Sequence, residues 1–250
     1  MTKKENPKRF GLLGKNIDYS FSRNYFSTKF SNENLVNHSY VNFDLASLEG
    51  FEQLLTNEPH LYGLNVTIPY KKEVIPFLDH ISDESKAIGA VNTIVWDHKG
   101  STIGHNTDHI GFKKVLLEKM ESIPKKALIL GTGGASSAVK FALESLNCEV
   151  IFVSRTAKKN QLTYGELDQS VIANTQLIVN TTPLGTFPNI NEAPSIPYEL
   201  LNSNHFLFDL IYNPSETLFM KKAKLQGSQV INGHQMLIYQ AEKSWELWNQ

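Results

Sequence analysis

The chain is poor in cysteine, in long apolar runs and in charge of one sign. Its 250 residues include one cysteine, Cys148, which excludes a disulfide within the chain and a zinc site built from cysteines. No stretch approaches the roughly 18 apolar residues of a membrane-spanning helix. The net charge is −1 and the basic residues are scattered, which argues against nucleic acid or an anionic membrane as a partner.

The rest of the composition is that of an ordinary globular protein. With 41% hydrophobic and 20% charged residues, the chain can bury one large core or two of usual size. The opening segment MTKKENPKRF has no apolar run after its lysines, so we do not expect a signal peptide. We expect a cytoplasmic protein, either a monomer or a homodimer, in which Cys148 is a buried packing residue.

In the first block of the chain, residues 1–107, strands alternate with helices, which predicts mostly parallel pairing. Strands are predicted at residues 9–14, 38–45 and 61–68, and helices at residues 22–30 and 71–78. Residues 90–106 read as a hairpin with the turn DHKG. This block is therefore predicted to be an α/β domain.

The second block, residues 108–233, contains a βαβ unit. A helix over residues 108–121 ends before Pro124, and residues 126–156 then read as strand, glycine turn, helix and strand. Further strands are predicted at residues 176–182, 205–212 and 229–233. Residues 234–249 have the apolar spacing of an amphipathic helix, and we expect the segment 234–250 to pack back on the first block.

The glycine turn, GTGGAS, follows an apolar strand and opens a helix. Glycines at such a turn permit a tight bend and close approach of a phosphate to the free N–H groups of the helix. Gly131 and Gly133 fit the G-x-G-x-x-G pattern, whereas Gly134 is additional and Ser136 takes the place of the third glycine. A tight turn without a ligand is the alternative, but the flanking strands and helix favour dinucleotide binding.

The end of the second strand of this βαβ unit indicates which dinucleotide binds. A fold that selects NAD has Asp or Glu there, against the ribose 2′-hydroxyl. This chain has Ser154, Arg155 and Thr156, followed by Lys158. An arginine and two hydroxyls would bind a 2′-phosphate through charge-assisted hydrogen bonds. We therefore predict NADP rather than NAD; the alternative is that Arg155 is an exposed loop residue.

Polar side chains recur at strand ends and turns of the first block. They are Ser20, Ser22, Asn65, Thr67, Asn92, Thr93, Asn106, Thr107 and Asp108. Because ligands bind outside the carboxyl ends of strands in an open α/β sheet, this set predicts a polar pocket for a small molecule with several hydroxyls. Taken singly, Ser22 and Asp108 are explained as helix caps and Thr67 as a strand residue.

Lys71 is predicted to lie near a helix N-terminus, because Pro69 suits the first turn of a helix. The helix dipole disfavours a cation at that end, so Lys71 is a candidate general acid and base. Asp108 is the carboxylate expected to orient the amine, and Lys72 is expected to point elsewhere. A lysine in solvent is the alternative.

Together these segments resemble the shikimate dehydrogenase family. NVTIPYK, AVNT, GHNTD, LGTGGAS, SRT, VNTTPLG, DLIYNPSET and NGHQMLIYQA lie in that family's order and spacing, over about residues 10–248. The combination of NVTxPxK with NTD is highly specific, whereas the glycine turn alone is not. The resemblance implies a two-domain α/β fold, with an N-terminal substrate domain, a Rossmann-like NADP domain and a cleft between them. It also implies NADP-dependent interconversion of 3-dehydroshikimate and shikimate, in chorismate and aromatic amino acid biosynthesis.

The resemblance implies a role for each residue that matches a family motif, and no metal. Lys71 and Asp108 resemble the catalytic pair. The implied substrate contacts are Ser20, Ser22, Asn65, Thr67, Asn92, Tyr212 and Gln240. The implied NADP contacts are Gly131, Gly133, Gly134, Ala135, Ser154, Arg155, Thr156, Thr181, Leu210, Gly233 and Met236.

Six positions depart from the family pattern. They are Asn16, Tyr19, Arg23, His109, Ser154 and Thr186, which replace the usual Pro, His, Pro, Gly, Asn and Met. The loop around Ser20 and Ser22 is therefore free to take a different path, although both serines are present. Ser154 removes one hydrogen-bond donor from the expected NADP site, which would weaken the preference over NAD.

Three other functions fit parts of the pattern. A quinate/shikimate dehydrogenase would accept a further hydroxyl and often use NAD, against which Arg155 argues. A nonenzymatic dinucleotide sensor would not need Lys71 and Asp108 together. A metal-dependent hydrolase could use His105, Asp108 and His109, in which the histidines are four positions apart, but a further protein ligand beside these histidines is not evident and the glycine turn would be unused.

Overall fold

The computed structural model describes residues 7–18, 20–156 and 158–250. Tyr19, one of the departures noted above, and the residues before position 7 lie outside these ranges. The chain forms two compact units. Unit 1 extends to Thr107 and resumes over Ala241–Gln250, and unit 2 is Asp108–Gln240. The substrate and cofactor roles assigned to these two parts from the sequence stay predictions.

Unit 1 is a mixed sheet with short helices. Its described strands are β1 Lys8–Gly14, β2 His38–Asp44, β3 Leu61–Val66, β4 His80–Ile81, β5 Thr93–Trp96 and β6 Thr102–His105. Its helices are α1 Phe21–Asn32, α2 Phe51–Asn57 and α3 Asp83–Ile88, with 3-10 turns at Leu48–Gly50 and Ile75–Phe77. The strand order is β2-β1-β3-β5-β6-β4.

The pairing in unit 1 brings the carboxyl ends of two strands together. β1 pairs in parallel with β2 and β3, while β5 runs antiparallel to β3 and β6. The predicted hairpin is confirmed, since Trp96 faces Thr102 across β5 and β6. Residues at the end of β1 are buried without a break, as expected for a strand covered on both faces. Gly14 and Thr67, which end β1 and follow β3, consequently lie at one edge.

The predicted helix over residues 71–78 is wrong. Residues 68–74 form turns, followed by the 3-10 turn Ile75–Phe77. One helical hydrogen bond forms, from the Val74 N–H to the Tyr70 carbonyl at 2.9 Å. Pro76 explains why it does not continue, because proline has no N–H to donate and disfavours α geometry in the preceding residue.

Unit 2 is a parallel sheet with helices. Its described strands are β7 Lys126–Leu130, β8 Glu149–Ser154, β9 Gln161–Thr163, β10 Leu177–Asn180, β11 Phe206–Asp209 and β12 Gln229–Ile231. Its helices are α4 Asp108–Lys119, α5 Gly134–Glu144, α6 Gln169–Ala173 and α7 Leu218–Leu225, with 3-10 turns at Tyr164–Glu166 and Tyr198–Leu200; a last helix, α8, is His234–Trp248.

The sheet of unit 2 has the order β12-β11-β10-β7-β8-β9. Numbered from β7, this is 3-2-1-4-5-6 read from the opposite edge, the order of a doubly wound dinucleotide-binding fold, and the recorded pairs are parallel. The chain reverses its direction of growth between β7 and β10, and ligands of such folds bind outside the strand ends at that point. Cys148 is buried in the core between α5 and β8, as predicted.

Helix α8 contributes to both hydrophobic cores. Met236 and Tyr239 pack in unit 2 with Phe112 and Phe208, whereas Trp245 and Trp248 pack in unit 1. The sequence predicted only the packing of this helix on the first block, which corresponds to Trp245 and Trp248. One run of apolar residues at helical spacing shows that a helix is amphipathic, but it cannot show that successive turns have different partners.

Candidate functional site

The glycine turn of unit 2 takes the expected strand–turn–helix form. Gly131 follows β7 with φ +102°, and its N–H donates to the Val153 carbonyl at 2.8 Å. A Cβ at this position would lie 3.0 Å from Thr181 Oγ1, so the turn needs glycine for its backbone angle and for its close neighbours. The turn thereby presses the end of β7 against the loop that follows β10.

The N-terminus of α5 is open to a ligand. Gly133 precedes the helix in an extended conformation, and no heavy atom would lie within 4 Å of a Cβ there. The Ser136 hydroxyl donates back to the Gly133 carbonyl at 2.6 Å, and no side chain caps the first helical N–H groups, at Gly134 and Ala135. Free N–H groups at the positive end of a helix are a site for a phosphate.

The end of β8 carries the residues predicted to select the cofactor. Ser154 is the last residue of β8, and its hydroxyl donates to the Thr156 carbonyl at 2.7 Å. Arg155, Thr156 and Lys158 are exposed. The Ser154 hydroxyl therefore shapes the turn, and Arg155 is placed where an NAD-selective fold would have a carboxylate.

Three further predicted cofactor residues lie at the same edge of this sheet. Thr181 follows β10, and its hydroxyl donates to the Leu130 carbonyl at 2.7 Å. Leu210 follows β11, and Gly233 packs so closely on its carbonyl oxygen that a Cβ at Gly233 would overlap it. Met236 differs from these, because its side chain is buried in the core of unit 2.

Asp209, which the sequence reading did not single out, organises this edge of unit 2. It is the last residue of β11 and is fully buried. Its Oδ1 accepts from Asn180 Nδ2 at 3.0 Å and from the Ile211 N–H at 3.1 Å, and its Oδ2 accepts from the Thr217 hydroxyl at 2.5 Å. Burial raises the pKa of Asp209 to about 6, although these three hydrogen bonds act in the opposite direction.

Two predicted substrate residues of unit 1, Asn65 and Asn92, are joined in one buried network. Asn65 Nδ2 donates to the Thr93 hydroxyl at 3.2 Å, and the Thr93 hydroxyl donates to Asn92 Oδ1 at 3.1 Å. Thr107 closes the network, since its backbone N–H donates to Asn92 Oδ1 at 2.7 Å. Both amides are therefore held in one orientation by the fold itself.

Ser244 is a further residue that the sequence reading missed. It lies on α8 and is fully buried in unit 1. Its hydroxyl accepts from Asn65 Nδ2 at 3.0 Å and lies 2.8 Å from the Thr93 hydroxyl. A serine on the buried face of an amphipathic helix carries no sequence signal of such a role, because serine is tolerated there for its size alone.

The two predicted serines of unit 1 have different surroundings. Ser20 precedes α1, and its Oγ is buried with no hydrogen-bond partner among the described residues. Ser22 lies close enough to Tyr40 to affect its pKa, and the Tyr40 hydroxyl donates to Asn65 Oδ1 at 2.8 Å. Burial raises the pKa of Tyr40, and the nearby Ser22 acts in the opposite direction. The residues Ser22 and Asn65 are thus linked through a phenol that stays protonated.

Lys71 lies in the turn after β3, next to the segment that carries Asn92. The Val91 N–H donates to the Lys71 carbonyl at 2.7 Å, and the Lys71 side chain is half-buried while Lys72 is exposed. Thr67, at the start of the turn, is fixed by its N–H to the Leu13 carbonyl at 2.9 Å. Lys71 is not at a helix N-terminus, so the expected effect of a helix dipole does not apply.

The remaining predicted residues belong to unit 2. Asp108 is buried in the first turn of α4, where a carboxylate is favoured by the helix dipole. Gln240 is buried, with Nε2 donating to the Leu237 carbonyl at 3.0 Å. Tyr212 is half-buried in the loop after β11. The proposed pairing of Asp108 with Lys71 stays a prediction.

Four of the departures from the family pattern lie among the described residues outside β8. Arg23 is exposed and donates to the Asp18 carbonyl at 3.2 Å, and Asn16 has φ 55°. The His109 ring packs edge-on against Phe141, with centroids 5.0 Å apart. The Thr186 hydroxyl donates to the Asn213 carbonyl at 3.4 Å. Arg23, His109 and Thr186 thus each have a contact within the protein, and Asn16 has a left-handed backbone conformation.

Unit 2 has a doubly wound sheet, a glycine turn and basic residues directly after β8. These features define an α/β protein of the dinucleotide-binding class. Residues 12–94, which lie in unit 1, match the family model of the shikimate dehydrogenase substrate binding domain. A shikimate dehydrogenase (NADP(+)) from Methanococcus maripaludis strain C7 is 39% identical to this chain over 258 residues, covering 96% of this chain and 91% of that protein. The chain therefore belongs to the shikimate dehydrogenase family.

Solved structures agree with this assignment. The shikimate 5-dehydrogenase of Thermus thermophilus, in complex with NADP(H) and shikimate, has a TM-score of 0.85 at 31% identity and covers 96% of this chain and 93% of its own. Quinate dehydrogenase from Corynebacterium glutamicum, in complex with NAD, has a TM-score of 0.86 at 26% identity, covering 98% and 94%. The predicted α/β class with a Rossmann-like unit is confirmed, and the fold by itself does not separate the two substrates.

Within residues 7–18, 20–156 and 158–250, no helix combines the length and the apolar character that crossing a bilayer requires.

Proposed function

We propose that this chain catalyses the reversible, NADP-dependent reduction of 3-dehydroshikimate to shikimate, a step of chorismate and aromatic amino acid biosynthesis. The observation that carries the proposal is Arg155 at the end of β8, in a chain 39% identical to a shikimate dehydrogenase (NADP(+)). An arginine there favours the 2′-phosphate that distinguishes NADP from NAD.

The residues of unit 2 fit this cofactor. The open N-terminus of α5 at Gly134 and Ala135 would hold the pyrophosphate, and the exposed Arg155 and Thr156 would bind the 2′-phosphate. Thr181, Leu210 and Gly233 would lie near the nicotinamide half. When bound, NADPH supplies the hydride that reduces the substrate carbonyl. Met236 would contribute by packing behind these residues, because its side chain is in the core.

Lys71 would transfer the proton that accompanies hydride transfer. Its ammonium group would donate a proton to the carbonyl oxygen of the substrate as that oxygen gains negative charge, and would take the proton back in the reverse reaction. The bond from Val91 fixes the Lys71 backbone. Asp108 would hold the charge and the orientation of the amine. The role of Lys71 thus depends on its position and on Asp108, and not on a helix dipole.

The polar set of unit 1 would bind the hydroxyls and the carboxylate of the substrate. The buried Ser20 hydroxyl is the sharpest indication, because a buried polar group without a partner among the described residues suits a ligand that supplies one. Asn65 donates both its N–H bonds within the protein, but its oxygen accepts one bond, from Tyr40, and has capacity for a second. Asn65 would therefore accept a hydrogen bond from a substrate hydroxyl, as would Thr67, while Ser22, Asn92, Tyr212 and Gln240 complete the proposed contacts.

Relaxed activity on quinate is the closest alternative. The solved quinate dehydrogenase compared above was bound to NAD, whereas this chain has Arg155 and no carboxylate at the end of β8. A nonenzymatic dinucleotide sensor would bind NADP without turnover. The hydrolase alternative needs a cluster of ligands, and the described residues contain no group of three His, Cys, Asp or Glu that could hold a metal ion.

One assay decides among these functions. Purified protein is mixed with NADPH and 3-dehydroshikimate, and oxidation of the cofactor is followed by absorbance. In two control reactions, NADH replaces NADPH or 3-dehydroquinate replaces 3-dehydroshikimate. We expect rapid oxidation only with NADPH and 3-dehydroshikimate. Equal rates with NADH or with 3-dehydroquinate would favour the quinate/shikimate alternative, and binding of NADPH without turnover would favour the sensor. We also propose that the protein is cytoplasmic and is either a monomer or a homodimer. Sedimentation of the purified protein would decide between these two oligomeric states.

A further inference from the structure

The buried carboxylate of Asp209 has no part in the proposed reaction so far. Among the described residues its hydrogen-bond partners are uncharged: the Asn180 amide, the Ile211 N–H and the Thr217 hydroxyl. A carboxylate enclosed among neutral donors is costly to bury, and a neutral residue could end β11 at lower cost. The cost of burying Asp209 indicates that its hydrogen bonds have a role beyond ending the strand.

The three partners of Asp209 lie on three different segments. Asn180 ends β10, and its Oδ1 accepts from the Thr182 N–H at 3.0 Å and the Thr182 hydroxyl at 2.7 Å. The Ile211 N–H lies in the loop after β11, directly between Leu210 and Tyr212. Thr217 caps α7, with its hydroxyl accepting from the Met220 N–H at 3.3 Å. One carboxylate thus fixes both loops at the carboxyl edge of the sheet and the helix that follows.

The two loops are also joined to each other at their far ends. The Phe187 N–H donates to the Asn213 carbonyl at 3.1 Å, and the Thr186 hydroxyl donates to the same oxygen at 3.4 Å. With Asp209 at their base and this contact at their tips, the two loops are held to each other at both ends. A carboxylate suits the base because its two oxygens accept the hydrogen bonds of all three donors.

We propose that Asp209 is a positioning residue for the dehydrogenase reaction, which fixes the loops over residues 181–186 and 210–217 and, through them, Thr181, Leu210 and Tyr212. This inference rests on the proposed function, which places the nicotinamide half and the substrate beside those three residues. The adenosine half of NADP is held elsewhere, by the end of β8. Loss of Asp209 should therefore affect one half of the ligand set and spare the other.

The test compares Asp209→Ala with Asp209→Asn in the full-length protein. We expect Asp209→Ala to raise KM for 3-dehydroshikimate and to lower kcat, with kcat/KM falling about 100-fold, because small displacements near the reacting atoms are costly. Asp209→Asn should stay within about fivefold of wild type, since its amide oxygen still accepts from Asn180 and Ile211 and its N–H can donate to Thr217.

The deciding readout is the affinity for adenosine 2′,5′-bisphosphate, measured by calorimetry. This probe carries the adenosine and 2′-phosphate of NADP without the nicotinamide. We expect its Kd to be unchanged in both variants, whereas general loosening of unit 2 would weaken it along with turnover. A proportional loss of probe binding in Asp209→Ala would therefore overturn the proposal, as would a folded Asp209→Ala with normal kcat and KM.

A second pair of variants covers the case in which Asp209→Ala fails to fold. Thr217→Val removes the hydroxyl that donates to Asp209 while it keeps the side-chain shape, and Thr217→Ser keeps the hydroxyl. We expect kcat/KM to fall about tenfold in the valine variant and about twofold or less in the serine variant, with the probe Kd unchanged in both. If neither Asp209→Ala nor Thr217→Val folds, Asp209 is a stability residue and the proposal is rejected. Wild-type protein that is inactive on 3-dehydroshikimate contradicts the proposed function instead.

Discussion

Lys71 and Lys72 are adjacent lysines in different environments. Lys71 is half-buried with its backbone bonded to Val91, and Lys72 is exposed. We expect Lys71→Ala to lower kcat by about 100- to 10,000-fold, the usual contribution of a positioned general acid and base, while the Kd for NADPH stays the same. Lys72→Ala is the matched control and should keep wild-type kcat. Near-normal turnover in Lys71→Ala would contradict the role proposed for this amine.

Arg155 is the residue on which cofactor choice is expected to depend. A charge-assisted hydrogen bond contributes about 1.5–3 kcal/mol, so Arg155→Ala should raise KM for NADPH by roughly 10- to 100-fold. KM for NADH should change little, because NADH has no 2′-phosphate. Steady-state kinetics with both cofactors check this. Equal changes in the two KM values would show that Arg155 acts on the fold and not on the 2′-phosphate.

Residue roles could be predicted from the sequence only where a local pattern or a family motif marks them. Arg155 follows the glycine turn at a characteristic distance in sequence, and Lys71 lies in a specific motif, so the roles of both could be predicted. Asp209 and Ser244 were not, because their importance lies in partners 29 and 179 positions away. Only the paired strands β10 and β11, and the packing of α8, bring those partners together.

At the scale of elements, the turn between β7 and α5 has the strictest requirement. Gly131 has φ +102°, and a Cβ there would lie 3.0 Å from two threonine atoms, so alanine would be strained whatever its neighbours do. We expect Gly131→Ala to destabilise unit 2 by about 1–3 kcal/mol and to weaken NADPH binding. Gly165→Ala is the control, because a Cβ there meets nothing within 4 Å. Thermal unfolding with and without NADPH measures both effects, and an unchanged Tm for Gly131→Ala would refute the prediction.

Long, strongly patterned elements were predictable and short ones were not. The strands β1, β2 and β3 and the helices α1 and α4 were expected within a few residues of their observed ends. β9 and α6 were missed, since three to five residues carry too little pattern. The error at residues 71–78 came from reading a helix through Pro76, whose effect on the backbone outweighs the apolar spacing.

At the scale of the whole molecule, stability should depend on pH through Asp209. An aspartate in an unfolded chain titrates near pH 3.9, whereas burial raises the pKa of Asp209 to about 6. Between these values Asp209 binds more protons in the folded protein than in the unfolded chain, so its contribution to the free energy of unfolding falls as pH rises from 4 to 6. A difference of two pH units corresponds to about 3 kcal/mol at most.

The comparison of wild type with Asp209→Asn isolates this contribution. Burial lowers the pKa of His105, which acts in the opposite direction with pH, but that residue is present in both proteins and cancels. We expect the Tm advantage of wild type over Asp209→Asn to be greater at pH 4 than at pH 7. A difference in Tm that does not vary with pH would show that Asp209 titrates like an exposed carboxylate.

Unit 1 is interrupted in sequence, because Asp108–Gln240 form unit 2 before Ala241–Gln250 return to it. Trp248 packs against Phe10 and Gly63, and its indole N–H donates to the Ile94 carbonyl at 3.1 Å. On the ribosome, Phe10 is made more than two hundred positions before this tryptophan. The core of unit 1 therefore stays incomplete through nearly the whole of synthesis, because the side of Phe10 that Trp248 covers stays open until the last turns of α8 emerge.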